Sequence, residues 1–141
     1  MLSYKEFLLE KILYQDEHGK IIIYDDGRYK VSMNDENNPH YFVVWHGNKK
    51  VGELYLKSTH KKINNEEWFS VESVNVDLKH RKMGIAKLLY KLALEHINNK
   101  YSGVISYLPD RVNKKAIPKL YKRLGSEKIE DEPDYEFIRR K

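Results

Sequence analysis

The stretch VNVDLKHRKMGIA, Val74 to Ala86, joins a β-like run to a strongly amphipathic helical segment. The first amides of any helix lack intrahelical partners, and together with the helix dipole they attract anions. Gly84 has no Cβ and lets the backbone come close to a phosphate; Ala86 is nearly as small. Arg81, Lys82 and Lys87 add positive charge around the same point. These residue types in this order suit a pyrophosphate. A dinucleotide-binding G-x-G-x-x-G is absent, since only Gly84 is glycine here, and no Walker A sequence occurs.

Composition removes other chemistries. There is no cysteine, so disulfides, zinc-thiolate sites and a cysteine nucleophile are excluded. The six histidines contain no H-E-x-x-H: His40 and His46 are separated by strand-like residues and His80 lies in the basic loop, so no metal is expected. Lys and Arg total 26 against 21 Asp and Glu, a formal charge of +5 that suits a phosphorylated ligand. Because the lysines are spread along the whole chain, a solvated surface is favoured over a nucleic-acid footprint. No run approaches the roughly eighteen apolar residues of a membrane span. MLSYKEFLLEKILYQ lacks the uninterrupted apolar core of a signal peptide. A soluble, cytoplasmic protein is expected, with all 141 residues in one domain, 1–141.

The elements that must position the anion site follow from periodicity. Residues 3–14 place Phe7, Leu8, Ile12 and Leu13 near helical spacing, with Ser3 as N-cap. KIIIYDDGRYKVSM predicts two strands with a turn at Asp25-Asp26-Gly27. YFVVWHGNKKVGELYLK predicts two more, joined through His46-Gly47-Asn48-Lys49, where Gly47 and Asn48 tolerate positive φ. In WFSVESVNVD, alternation puts Phe69, Val71, Ser73 and Asn75 on one side and Ser70, Glu72, Val74 and Val76 on the other. GIAKLLYKLALEHINNK is the clearest helix, with Ile85, Leu88, Leu89, Leu92 and Ile97 as its apolar stripe and Asn98 and Asn99 as stop signals. SGVISYLPD reads as a strand. KKAIPKLYKRLG reads as a short helix with Pro118 in its first turn and Gly125 as C-cap, and YEFIRRK as a last strand. The fold class is therefore α/β of the α+β kind: a mixed, mostly antiparallel sheet flanked by helices. Its one parallel step, across residues 68–108, should be a right-handed crossover.

Arg81-Lys82-Met83-Gly84-Ile85-Ala86 resembles the R/Q-x-x-G-x-G/A signature of the GNAT superfamily of N-acetyltransferases, which follows a strand and opens a long helix. FVVWHGNKKVGELYL resembles that family's second and third strands, and Asn113 to Gly125 resembles its N-x-x-A-x-x-L-Y-x-x-x-G segment with one extra residue, at Pro118. The likeness covers most of the chain. It implies a GNAT-like fold and acetyl-CoA as cosubstrate, with the pyrophosphate held by the backbone of residues 81 to 87: Arg81, Lys82, Met83, Gly84, Ile85, Ala86 and Lys87. It also implies strand-like pairing of the pantetheine arm with the backbone of Val74 and Val76, and a cofactor contact from Asn113. Ser126 stands where the family usually has an aromatic residue.

The activity so implied is transfer of acetyl from acetyl-CoA to a primary amine by direct attack on the thioester. A developing oxyanion needs a hydrogen-bond donor, for which a backbone N–H near Val76 is expected, and the leaving thiolate benefits from a proton. Tyr121 matches the family's general-acid tyrosine. Its spacing with Ile117, Leu120 and Leu124 is equally that of a core residue. Glu72, on the Val74/Val76 side of its strand by simple alternation, is the candidate base. The acceptor, a small-molecule or protein amine, is left open, with residues 10–20, 34–40 and 57–67 as acceptor loops and the polar, charge-rich segment Lys57 to Asn65 expected to be mobile. Tyr24, Tyr41 and Tyr55 are candidates for lining its cleft. A homodimer is compatible with the chain. The competing reading is a non-catalytic CoA-binding sensor or interaction module.

Overall fold

The computed structural model describes residues 12–81, 83–107, 116–128 and 132–140, with the side chains of 58–61, 107 and 116–119 left aside. Alternating apolar residues and tight turns build one eight-stranded sheet whose spatial order is its sequence order: β1 (Tyr14–Gln15), β2 (Ile21–Asp25), β3 (Lys30–Met33), β4 (Tyr41–His46), β5 (Lys49–Ile63), β6 (Glu66–Val76), β7 (Tyr101–Tyr107) and β8 (Tyr135–Arg139). Every neighbouring pair is antiparallel except β6 and β7, which are parallel and joined through helix α1 (Ile85–His96). A second helix, α2 (Ala116–Arg123), precedes β8. This is the mixed, mostly antiparallel arrangement expected. The helix expected over residues 3–14 lies outside the described residues except at its end, where Tyr14 is strand instead.

Turn chemistry fixes the hairpins. Asp26 Oδ1 accepts the amides of Arg28 (2.9 Å) and Tyr29 (2.7 Å), closing the β2–β3 turn at the expected place. Gly47 has φ of 62° in the two-residue β4–β5 turn. One expectation is corrected. Lys57 to Asn65 is not a loop: β5 runs to Ile63 and pairs with β6 across a turn at Asn64-Asn65, whose φ values are 52° and 66°. Asparagine is among the few residues that adopt such angles readily, so an Asn-Asn pair makes a tight hairpin turn where polarity alone suggests a loop.

β6 departs from simple alternation. Tyr55 and Leu56, adjacent on β5, pair with Ser73 and Val71, so Glu72 is an extra residue in the ladder, a β-bulge. The bulge resets the phase. Val71, Val74 and Val76 all pack against the main core. The expectation that Val71 lies opposite Val74 and Val76, and that Glu72 shares their side, is therefore corrected: Glu72 and Ser73 together take the length of one partner residue.

The main core lies between the sheet and α1. Ile85, Leu89, Tyr90, Leu92 and Ala93 of that helix are buried against β4, β5 and β6, while Leu88 is partly covered. Gly52 makes the close approach: a Cβ there would stand 2.9 Å from Ile85 Cγ2, so any larger residue must displace the Ile85 side chain or the helix that carries it. α2 ends in a Schellman motif, with Ser126 N–H donating to Tyr121 O (3.0 Å), Gly125 N–H to Lys122 O (3.1 Å), and φ of 74° at Gly125. A smaller cluster of Ile63, Trp68, Ile105 and Phe137 forms separately from the main core.

Candidate functional site

β6 and β7 separate. Their parallel pairing runs only as far as Ser70 opposite Ile105, after which β7 continues with β8 and β6 with β5. Among the described residues, positions 71–76 of β6 thus have no strand on the β7 side. Asp77 N–H donates to Val51 O (2.8 Å), so Asn75 and Asp77 direct their backbone groups at β5. By alternation, the backbone groups of Val74 and Val76 face the opening. Arg81 Nε donates to Val76 O (3.0 Å) from that side.

The open edge leads into the helix start. After Asp77 comes a single 3₁₀ turn, Leu78–His80, and then Gly84 as the N-cap of α1, left-handed with φ of 77° and ψ of 12°. No side chain caps this end. The first intrahelical bond is Leu88 N–H to Gly84 O (2.9 Å), which leaves the amides of Ile85, Ala86 and Lys87 without intrahelical partners. Nothing lies within 4 Å of where a Gly84 Cβ would be. The positive φ is a requirement that the sequence pattern alone did not specify. Met83, Gly84, Ile85 and Lys87 border an open cleft of about 420 Å³, lined on its other side by Tyr24, Asp26, Arg28 and Tyr29 of the β2–β3 hairpin. Val76 and Arg81 border a second of about 240 Å³, with Glu53 and Asn75. The structure therefore brings Val74, Val76, Arg81, Met83, Gly84, Ile85, Ala86 and Lys87 to one junction. Lys82 and Asn113 lie outside the described residues.

Tyr121 sits apart from solvent, 1% exposed, with its hydroxyl hydrogen-bonded to that of Tyr90 and the two rings edge-on at 5.2 Å. Both residues belong to the main core. Glu72 is exposed at the bulge, two residues past the last β6–β7 pair. Of the tyrosines suggested for an acceptor cleft, Tyr41 and Tyr55 stand together, rings 5.0 Å apart, with His40 against Tyr55 at 5.6 Å. Tyr41 donates to Glu53 Oε2, the main cause of a Glu53 carboxyl held below the usual carboxylate range. Tyr24 is elsewhere, donating to Asp26 Oδ2 at 2.9 Å.

Contacts that sequence reasoning missed tie the β2–β3 hairpin to the junction. Tyr29 Oη lies 2.8 Å from His80 Nδ1 and donates to Met83 Sδ at 3.2 Å. Arg28 reaches the same sulfur at 3.5 Å. His46 completes a ring cluster, 5.6 Å from Tyr29 and 5.2 Å from His80. Arg28 and Tyr29 stand some fifty residues from His80 and Met83, so no local pattern announces these contacts. Among the described residues no group of three or more His, Cys, Asp or Glu side chains is placed to hold a metal, and no helix is long and apolar enough to cross a membrane.

The model of the acetyltransferase (GNAT) family matches residues 7–125. No curated protein matches the chain. Among solved structures, a mutant AtaT toxin bound to the C-terminus of the antitoxin AtaR and acetyl-CoA is 14% identical with a TM-score of 0.55, covering 70% of this chain and 65% of that one. The chain thus spans just under two thirds of that toxin's length. A KacTA–DNA complex is 14% identical with a TM-score of 0.56, over 82% of this chain and 70% of that one. Naa50 of Arabidopsis thaliana, in complex with a bisubstrate analogue, is 15% identical with a TM-score of 0.50, over 96% and 91%. At these identities the likeness establishes the fold.

Proposed function

This chain belongs to the GNAT family of acetyltransferases, and from that premise we propose that it moves an acetyl group from acetyl-CoA to a primary amine by direct attack on the thioester, within a single acetyltransferase domain. The observation that carries the reading is the fork between β6 and β7, whose open edge at Val74 and Val76 runs directly into the uncapped start of α1. The residues present fit the cosubstrate. Three helix-start amides beside a glycine with open space suit a pyrophosphate, and an unpaired strand edge suits the amide-bearing pantetheine arm. That two of the solved relatives carry acetyl-CoA or a bisubstrate analogue supports the same assignment.

In this reading the neutral amine attacks the acetyl carbonyl carbon while a β6 amide at Val74 or Val76 donates to the developing oxyanion. The C–S bond then breaks. Tyr121 supplies a proton to the departing thiolate and recovers one from solvent, and Glu72, beside the fork, takes the proton shed by the amine, directly or through water. The acceptor is a small-molecule or protein amine.

One observation favours a second reading. The Tyr121 hydroxyl is buried and bonded to Tyr90, as suits a core residue of a CoA-binding module without turnover. Calorimetry with acetyl-CoA, followed by thiol release over an amine panel, separates the two. Turnover in the wild-type chain that falls about a hundredfold in Tyr121→Phe, with CoA affinity unchanged, matches the general-acid role. CoA binding without thiol release on any amine supports the module. No heat at millimolar CoA removes both.

A further inference from the structure

We infer that Tyr29 is a positioning residue for the phosphate-binding junction, holding its two flanks so that the helix-start amides converge before any ligand arrives. This rests on the assignment of that junction to the pyrophosphate of CoA. Gly84 has a conformation that a flexible segment visits only part of the time, and no side chain caps the helix it opens. Something else must hold the backbone there, and the geometry assigns that task to the β2–β3 hairpin.

Tyr29 is itself fixed. Its amide donates to Asp26 Oδ1 at 2.7 Å and its carbonyl accepts from Asp26 N–H at 3.1 Å, while the Tyr24 hydroxyl holds the other carboxylate oxygen at 2.9 Å. The residue is 6% exposed, and its hydroxyl is delivered between His80, the last residue of the 3₁₀ turn, and Met83, the residue before Gly84. A hydroxyl has one proton. Both contacts are hydrogen bonds at once when His80 carries its proton on Nδ1 and donates to the Tyr29 oxygen, which in turn donates to the Met83 sulfur. That chain bridges the segment containing Arg81 and Lys82. The Arg28 guanidinium, 5.1 Å from the Tyr29 ring, adds a second tie to the same sulfur. Binding groups held in place before ligand arrives avoid the ordering cost of binding.

Tyr29→Phe deletes one oxygen and keeps the ring. Calorimetry should show the Kd for CoA rising about five- to tenfold, the worth of one lost hydrogen bond. In the ligand-free protein, nitrogen-15 NMR should show amide perturbation, beyond the immediate surroundings of position 29, confined to the 78–87 segment, with Val104 and Ile138 unmoved. Met83→Leu, which keeps the bulk and removes the sulfur acceptor, should act in the same direction by about two- to threefold. It carries the test should Tyr29→Phe fail to fold. Unchanged affinity and an unperturbed junction in the folded variant would overturn the inference, as would amide changes spread evenly over the sheet. A wild-type chain that binds no CoA removes the acetyltransferase reading instead, while the NMR comparison still decides whether Tyr29 pins the segment.

Discussion

Replacing Gly84 with alanine tests the junction at its narrowest point. The residue has φ of 77°, where an L-side chain costs on the order of 1–2 kcal/mol. No atom lies within 4 Å of the added methyl group, so no steric clash is added to that conformational term. In the ligand-free protein, the expected loss of stability is therefore about 1 kcal/mol, a fall of roughly 3 °C in Tm for a chain of this size. Asparagine adopts left-handed angles more readily, so Gly84→Asn should cost less than Gly84→Ala. The effect on ligand should be larger than either. A methyl group standing over the amides of Ile85 and Ala86 keeps a phosphate from at least one charge-assisted hydrogen bond, worth about 1.5–3 kcal/mol, and the Kd for CoA should rise about ten- to a hundredfold. Urea unfolding of the three proteins and calorimetry with CoA read both quantities. Equal stability for glycine, asparagine and alanine, together with undiminished affinity, would refute the argument from backbone angle and open space.

Two further perturbations address the scaffold. Gly52→Ala forces its methyl group against Ile85 and should cost about 1–3 kcal/mol by urea unfolding, while Lys57→Ala, on the same strand, should be near neutral. Asp26 is held below the ordinary carboxylate range, chiefly by the Tyr29 amide and then by the Tyr24 hydroxyl. A depressed folded-state pKa contributes stability at pH above the unfolded value of about 4 and loses it as pH falls through the folded one. Asp26→Asn should therefore be less stable than wild type at pH 7, with the gap shrinking at about pH 3; a gap of constant size across that range would show that ionisation of Asp26 plays no part.

Much of this was legible in the residues. The hairpins at Asp26 and Gly47, the Ile85-to-Leu92 stripe and the parallel step from β6 to β7 follow from local chemistry and period, and they stand where expected. Glu72 shows where such reasoning fails. The apolar period slips by one at Glu72-Ser73 in FSVESVNV, a sign that simple alternation across the whole run ignores, and the pairing of Ser73 and Val71 with adjacent residues of β5 identifies the added residue. A bulge is a property of two strands, so one strand's residues show the slipped period but not which residue the partner leaves unpaired. Tyr29 failed to stand out for a similar reason, since its alternation with Val31 and Met33 describes its burial and nothing about the distant loop its hydroxyl reaches. In Lys57 to Asn65, polarity masked a strand whose backbone pairs with β6 and which adds Ile63 to the smaller cluster.

The parting of β6 from β7 also bears on which chains can pair with this sheet. Unsatisfied strand edges ordinarily sit at a sheet's rim, where they template the addition of foreign chains, and proteins blunt them with charge or cover. Here, among the described residues, six positions of β6 lack a strand on their β7 side inside the sheet, flanked by a strand anchored to the same paired stretch at Ser70 and Ile105. An incoming polypeptide strand needs a broad lateral approach, which this confinement denies, whereas a slender, unbranched chain bearing amides can thread in from the end. Confinement of this edge favours visitors of small width, and the Arg81 guanidinium on the Val76 carbonyl adds a charge at its mouth.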